Sequence, residues 1–334
     1  MLRSLSSDLI SCGHSVHTLM EPSIARWTQQ QAKGEPVLER PWWNRPGFHS
    51  SPIHFQTHPT LDCTLEAWLT TARECDATIV IAPELDQILP TVLMHLRTQG
   101  ISVIAPSDEF VAVAADKWET SRCWYRSGVA HPATMLLDAW LENSLRLHQP
   151  SGWVLKRRWG AGGTDMRRFR DTQSLREHCH SEAIPETCRT EWMVQPWVEG
   201  IPASLAVVAL EQCHVLGAMQ QHFAPLDGTS KAAAYVGGSG PLSSCPPEAL
   251  REFAIRTLQA LPGHPRGWIG IDFVIEQATG WRAIEINSRL TSSYLGYRQI
   301  LGPNVAQAIL DGETTACRRH LRESCCFSVT DFHG

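Results

Sequence analysis

The stretch WRAIEINSR, Trp281 to Arg289, sets Glu285, Asn287 and Arg289 at alternate positions. In an extended chain, side chains two apart share a face. An acid, an amide and a guanidinium projecting together offer oxygen ligands for a hard cation beside a fixed positive charge. Just upstream, GIDFVIE carries Asp272. If the two strands pair as a hairpin across a turn at Ala278–Gly280, a second carboxylate converges on the same face. Magnesium is commonly shared between one or two carboxylates and bound phosphates, so such a face suits a cation held against phosphate. The plain alternative is a solvated hairpin face with acids opposite basic neighbours. Ile269, Ile271, Phe273, Ile284 and Ile286 flank the polar positions. They argue for a covered sheet, where unpaired carboxylates are costly, and favour the metal.

A second constellation is VLKRRWGAGGTDM, in which Lys156 ends an apolar strand ahead of glycines at 160, 162 and 163. Glycines let backbone N–H groups turn toward an anion, and a nearby lysine supplies the charge that phosphate needs. It is not a P-loop, because the GxxxxGK[ST] order is absent. Taken alone, GAGG is a weak signal and reads more readily as a bare hairpin turn. Lysine occurs only at 33, 117, 156 and 231, so each one is informative.

The elements that must carry these residues follow from pattern. Residues 1–110 read as a small doubly wound parallel-sheet α/β domain. It contains a helix through Leu2, Leu5 and Leu9 stopped by Gly13, a strand at Ser15–Leu19 and a helix at Leu61–Cys75. Next come a strand in ATIVIAPE, a helix at Asp86–Gln99 and a strand in SVIAP. Such a domain usually opens with a strand, and none precedes the first helix. Either the fold tolerates that, or the start lies upstream of Met1, which is the reading preferred here. Residues 111–190 begin with a helix containing AADKWETSRCWYRSG, and residues 191–312 read mostly as strands: EWMVQPWV, PASLAVVAL, CHVLGAMQQHF, GWIGIDFVIE and WRAIEINSR. A helix spans Pro247 to Leu261. The segment PLDGTSKAAAYVGGSGP, Pro225 to Pro241, is flexible by composition, and residues 313–334 form a weakly patterned tail.

Bulk properties exclude some classes. The chain has 334 residues, 43% hydrophobic and 19% charged, with a net charge of −5, which gives no pull toward nucleic acid or an anionic membrane. Eleven cysteines are scattered without a CxxC pair, as expected of reduced thiols. No apolar run approaches the length of a bilayer span. A cytoplasmic protein is expected.

Lys117 in ADK, Lys156 with GAGG, VQPWVEG, GIDF and EINSR, in that order, resemble the ATP-grasp superfamily over about Asp116 to Leu310. Family members include D-alanine–D-alanine ligase and biotin carboxylase. The resemblance implies a pre-ATP-grasp domain followed by a two-subdomain ATP-grasp fold. It implies ATP with one or two Mg²⁺ ions, or Mn²⁺ in their place. Lys117 and Lys156 would reach the phosphates, and Gly160, Gly162 and Gly163 would form the lid over them. Gln195, Pro196, Trp197 and Val198 would be the hinge against adenine. Asp272, Glu285 and Asn287 would be the metal ligands, and Arg289 would stand near the transferred group. Many members carry an acid two residues past the hinge glycine, where this chain has Pro202; Glu199 is the substitute. An arginine just ahead of ID in D-alanine–D-alanine ligase is Gly270 here, which disfavours a dipeptide ligase of that type.

IAPELDQIL, ADKWETSR, VQPWVEGIPASL, AYVGGSGPL and EINSRLTSSYLGYR further resemble the tyramine–glutamate ligases of methanofuran synthesis. On that resemblance Arg289, Thr291, Ser292, Tyr294 and Tyr297 would line an acceptor pocket, with ordinary packing the alternative for the two tyrosines. The segment Pro225–Pro241, with Lys231 and Gly237–Gly238, would close over the site. The implied activity joins a carboxylate to an amine through an acyl phosphate, releasing ADP and phosphate. The partners are small molecules, with a homodimer allowed. A thiol or a growing glutamate chain is an alternative acceptor, and a catalytically inactive ATP-binding regulator is the rival from another class.

Overall fold

A computed structural model describes residues 1–20, 53–57, 61–143, 151–160, 163, 166–181, 184–224, 235–276, 280–312 and 323–329. The chain opens with α1 (Leu2–Ser11) and β1 (Val16–Met20), which pairs in parallel with β2 (Ile53–Thr57). α2 (Leu61–Arg73) and α3 (Ile88–Thr98) follow, the latter stopped by Gly100 in the left-handed region at φ 72°. Leu69, Leu89, Leu93, Leu96 and Val103 form the core of this domain. The strands expected in ATIVIAPE and SVIAP meet through one parallel bridge, Thr78 with Val103, rather than a ladder. A cavity of about 560 Å³, lined by Val16, Thr18, Ile79 and Ile81 among others, separates the first of these segments from β1. Among the described residues β1 pairs with β2 alone and not with that segment, so the ladder does not extend.

α4 (Asp108–Ala115) and α5 (Lys117–Arg126) replace the single helix expected here. The break is Asp116, extended at φ −99° and ψ 97°, whose side chain accepts from the N–H groups of Trp118 and Glu119. An aspartate that caps one helix ends the one before it. Then come β3 (Met135–Leu136), α6 (Leu137–Asn143), β4 (Trp153–Arg157), β5 (Arg167–Phe169), α7 (Thr172–Ser181) and β6 (Trp192–Pro196). These strands make an antiparallel sheet in the order β3-β6-β4-β5. Trp140 and Trp153 meet edge to face at 5.5 Å in its core, with Leu137, Leu155, Leu175 and Val194.

The second lobe contains β7 (Ile201–Ala209), β8 (Cys213–Phe223), β9 (Tyr235–Gly240), α8 (Pro247–Gln259), β10 (Gly267–Glu276), β11 (Gly280–Asn287), α9 (Tyr294–Leu301), α10 (Asn304–Asp311) and β12 (Cys325–Ser328). Its sheet runs β11-β10-β7-β8-β9-β12. Alternation along β7 and β10 sends Leu205, Val207, Ile269, Ile271 and Phe273 toward α8. It sends Ala206, Val208 and Trp268 toward α1, α9 and α10 on the other face. The polar positions Ser204 and Asp272 continue that second face beyond the helices.

Two expectations change here. Gly237 and Gly238, assigned to a flexible segment, lie in β9, paired to β8 on one side and β12 on the other. A Cβ on Gly237 would strike the Phe327 carbonyl oxygen, and one on Gly238 would come within 2.7 Å of the Gln220 carbonyl. These glycines permit close packing of three strands. Lys231 lies outside the described residues. The tail supplies β12, whose Cys325 and Phe327 alternate into the core.

Candidate active site

The break at Asp116 sets the first half of the site. Arg158 grips the Asp116 carboxylate through Nε, at 2.8 and 3.0 Å, and Nη2, at 2.7 Å. The Lys117 N–H donates to the Arg158 carbonyl at 3.2 Å. The N-terminus of α5 is thereby fastened to the end of β4, and Lys117 and Lys156 are brought together, both buried. Lys117 Nζ reaches Glu285 Oε1 at 3.0 Å and also donates to the Gly160 carbonyl. Burial pulls the Lys156 ammonium down to about 8; Glu285 and Asp272 oppose that, while the charge on Lys117 adds to it.

The second half is the end of the β10–β11 pair away from its turn. Asp272 and Glu285 are direct cross-strand partners, and Gly270 faces Asn287. Side chains in such a pair share a face, so the convergence expected from the spacing is present. Asp272 accepts from Gln221 Nε2 at 3.0 Å and Asn287 Nδ2 at 3.1 Å, and Ser204 adds a further hydrogen bond. Burial raises its carboxyl to about 6, and the Glu285 charge adds to this; Ser204, Asn287 and Arg289 hold it down. Among the described residues no three His, Cys, Asp or Glu side chains cluster; the set here is two carboxylates and an amide. Two features fit it to a cation: the half-buried carboxylates of Asp272 and Glu285 are direct cross-strand partners, Asp272 being hydrogen-bonded by neutral donors, and Glu285 already draws the ammonium of Lys117. Arg289 Nε bonds the buried Glu84 of the N-terminal domain at 2.7 Å.

Between the lobes lies a cavity of about 500 Å³. Lys156, Asp272, Glu285, Asn287 and Arg289 line it, as do Gly163 and the segment Gln195, Pro196, Trp197 and Val198. The Trp197 N–H donates to the Gly152 carbonyl at 2.9 Å, and Gln195 Nε2 to Thr134 Oγ1 at 2.8 Å, which fixes that segment to its sheet. Val154, Met166, Val274 and Ile284 supply apolar walls. Lys117 and Gly160 stand behind this lining, and Gly162 lies outside the described residues. Glu199 does not line the cavity; its exposed carboxylate pairs with Arg168 at 2.7 Å.

Tyr294 and Tyr297, expected in an acceptor pocket, are core residues instead. Tyr294 donates to Asp8 and Tyr297 to the Gly217 carbonyl, so packing claims both. Thr291 and Ser292 do line the cavity. Tyr235 does so too; burial pushes its phenol above the ordinary range, against a hydrogen bond with Ser292. Gly270 has a steric cause: a Cβ there would lie 2.7 Å from Thr291 Cγ2. Sequence alone passed over Ser204, Gln221, Tyr235 and Glu84. Gln221 and Ser204 had a usable signal, being polar residues at inward positions of apolar strands.

Two antiparallel lobes clasping a cavity, with lysines from one and carboxylate and amide side chains from the other, define a recognisable architecture. Residues 114–293 match the ATP-grasp domain, and residues 46–111 match the pre ATP-grasp 3 domain. The chain belongs to the ATP-grasp family. A comparison with curated proteins finds no match. Among solved structures, the fold resembles a biotin carboxylase–β,γ-ATP complex from Campylobacter jejuni. That match has 15% identity and a TM-score of 0.68, covering 95% of this chain and 68% of that one. The biotin carboxylase domain of Hydrogenobacter thermophilus 2-oxoglutarate carboxylase, with MgADP and bicarbonate, gives 14% identity and 0.68, covering 96% and 68%. An L-amino acid ligase from Bacillus licheniformis gives 13% identity and 0.61, covering 95% and 71%.

Proposed function

We propose that this chain is an ATP-dependent ligase that joins a carboxylate to an amine. The observation that carries this is the convergence of Asp272, Glu285 and Asn287 with Lys156 and Arg289 around one interlobe cavity. A carboxylate is a poor electrophile because its leaving group would be oxide or hydroxide. Attack of its oxygen on the γ-phosphorus breaks the β–γ bridge and releases ADP. The resulting acyl phosphate then accepts the amine at carbon, phosphate departs, and the amine nitrogen loses a proton. The protein's task is to align the groups and neutralise charge.

Asp272, Glu285 and Asn287 would hold Mg²⁺, one ion or two. Magnesium, when bound, screens phosphate oxygens and polarises the group under transfer. Lys156 and Lys117 would hold the phosphates from the opposite lobe, and Arg289 would neutralise the transferred group. Gln195 to Val198 with the apolar walls would hold the adenine, Gly163 belonging to the loop above the phosphates. Glu199, on the rim, would meet the ribose only by leaving Arg168.

The finer proposal is glutamate as acid and an aromatic amine such as tyramine as acceptor. The motif resemblance supports it, as does the edge-to-face pair of Phe223 and Tyr235, both in the lining. ADP release is to be screened with glutamate plus tyramine, and then with other amines, thiols and glutamate chains. Glu285→Gln and Asn287→Ala should each lower turnover by about 100-fold or more while circular dichroism stays unchanged. Normal turnover in either removes the metal assignment. Thermal stabilisation by MgATP with no ADP release from any acid–acceptor pair would favour the inactive regulator.

A further inference from the structure

The segment IAPELDQIL is left without a task by the site described above. Its Glu84 is the one buried residue between Pro83 and Ile88. Leu85 and Ile88 are 36% and 41% exposed, whereas Glu84 is 1% exposed. This inverts the usual order, in which apolar side chains go in and carboxylates stay out. The backbone is forced to make the inversion. Asp86 and Gln87, neither of them glycine, are left-handed at φ 47° and 61°, a strained conformation that persists only where surroundings impose it.

The buried carboxylate meets a residue 205 positions away. Glu84 Oε2 accepts from Arg289 Nε at 2.7 Å. Arg289 Nη1 donates to the Leu290 carbonyl at 3.3 Å, and Nη2 has no protein partner among the described residues. The guanidinium is thus held through Nε and one terminal nitrogen, Nη1, while the arginine lines the cavity. Burial pushes the Glu84 carboxyl up and the neighbouring Glu285 charge adds to it, with Arg289 the main opposing influence. Glu84 Oε1 is buried without a partner, so the contact with Arg289 is the chief compensation for taking this carboxylate out of water.

We propose that Glu84 is a positioning residue: the N-terminal domain supplies its carboxylate to lock Arg289, presenting Nη2 to the group transferred in the cavity. What Arg289 does rests on the ligase proposal; what holds Arg289 does not. The N-terminal domain is then a working part of the site, and the turn at Asp86–Gln87 is the strained support that delivers the acid.

The test compares the full chain with Glu84→Gln, Glu84→Asp, Arg289→Lys and the double variant Glu84→Gln/Arg289→Lys. One readout needs no substrate. The Nε–H resonance of Arg289, identified by its loss in Arg289→Lys, should exchange with water about 10-fold faster or more in Glu84→Gln. An unchanged rate overturns the proposal, because something else then holds the guanidinium. The second readout is kcat and KM for ADP release with whichever acid and amine pair is most active. Each single variant should lose about 100-fold in kcat, with KM for MgATP within about threefold, and the double variant should be no worse than the poorer single one. Losses that multiply, or a Glu84→Gln protein that melts earlier yet keeps its kcat, would reduce Glu84 to a structural bridge and overturn the proposal. If Glu84→Gln does not fold, Glu84→Asp decides, since it keeps the charge but draws it back by one methylene: wild-type exchange and kcat there overturn the proposal. If no acid–amine pair releases ADP, the ligase reading fails, and the exchange rate alone still settles what holds Arg289.

Discussion

Lys156 shows how much of the site's chemistry is stored as unfavourable burial. Its ammonium sits at about 8 when folded against 10.5 ordinarily. Between those values the unfolded chain binds a proton that the folded chain has released. Stability therefore rises with pH across that window and is independent of this group on either side. The shift corresponds to something on the order of 3 kcal/mol. In urea titrations without nucleotide, wild type should gain stability from pH 8 to 10.5 relative to Lys156→Met. The variant should be the more stable of the two at pH 7, though unable to turn over. Superimposable pH profiles for the two proteins would show that the ammonium is not desolvated. Lys156, Asp272, Glu285 and Asn287 were legible in the sequence because a charged or amide group inside an apolar strand is conspicuous. Glu84 was not, since its partner lies 205 positions away and nothing local distinguishes it from a surface acid. Ser204 and Gln221 matter through Asp272, and that pairing exists only once β7, β8 and β10 are side by side.

At the scale of elements, the segment from Gln195 to Gly200 depends on close approach. A Cβ on Gly200 would collide with the Ile275 carbonyl oxygen and lie 2.7 Å from Val274 Cγ1. The chain leaving Trp197 and Val198 can pass the end of β10 only because residue 200 has no side chain. Gly200→Ala should push that segment off β10, costing about 1–3 kcal/mol of stability. It should also weaken MgATP binding by roughly tenfold, the equivalent of about 1.4 kcal/mol. Calorimetric titration and thermal melting measure the two effects. A protein with lowered stability but unchanged MgATP affinity would show that this backbone does not contact the nucleotide. Most long elements were readable from periodicity, including α8 and the β10–β11 hairpin. The failures share a cause. The split at Asp116 turns on one capping aspartate, and β9 turns on two glycines whose small size, not their freedom, was being used. In both cases the deciding contact comes from a distant part of the chain, Arg158 for the first and Phe327 for the second.

At the scale of the molecule, the N-terminal domain and the second lobe share one core. Leu5 and Leu9 of α1 pack with Leu295, Val305 and Ala308 of α9 and α10. Asp8, buried at 3% exposure, ties them together. Its Oδ2 accepts from Tyr294 Oη at 2.6 Å and Arg298 Nε at 2.7 Å, and its Oδ1 from Arg298 Nη2 at 2.6 Å. Because α9 begins just after Ser292 and Ser293, which line the cavity, this junction also anchors one wall of the site. Asp8→Asn keeps the shape and removes the charge, leaving the half-buried Arg298 without its counterion, which should cost about 1–3 kcal/mol. If the shared core makes one cooperative unit, the whole unfolding transition of this unit should move to lower urea, with tryptophan fluorescence and far-ultraviolet circular dichroism shifting together. MgATP at one hundred times its Kd should then raise the same transition by about 2.7 kcal/mol in wild type and variant alike. Two separated transitions, with only the earlier one displaced by Asp8→Asn and only the later one by MgATP, would mean that the N-terminal domain is a passive neighbour of the site.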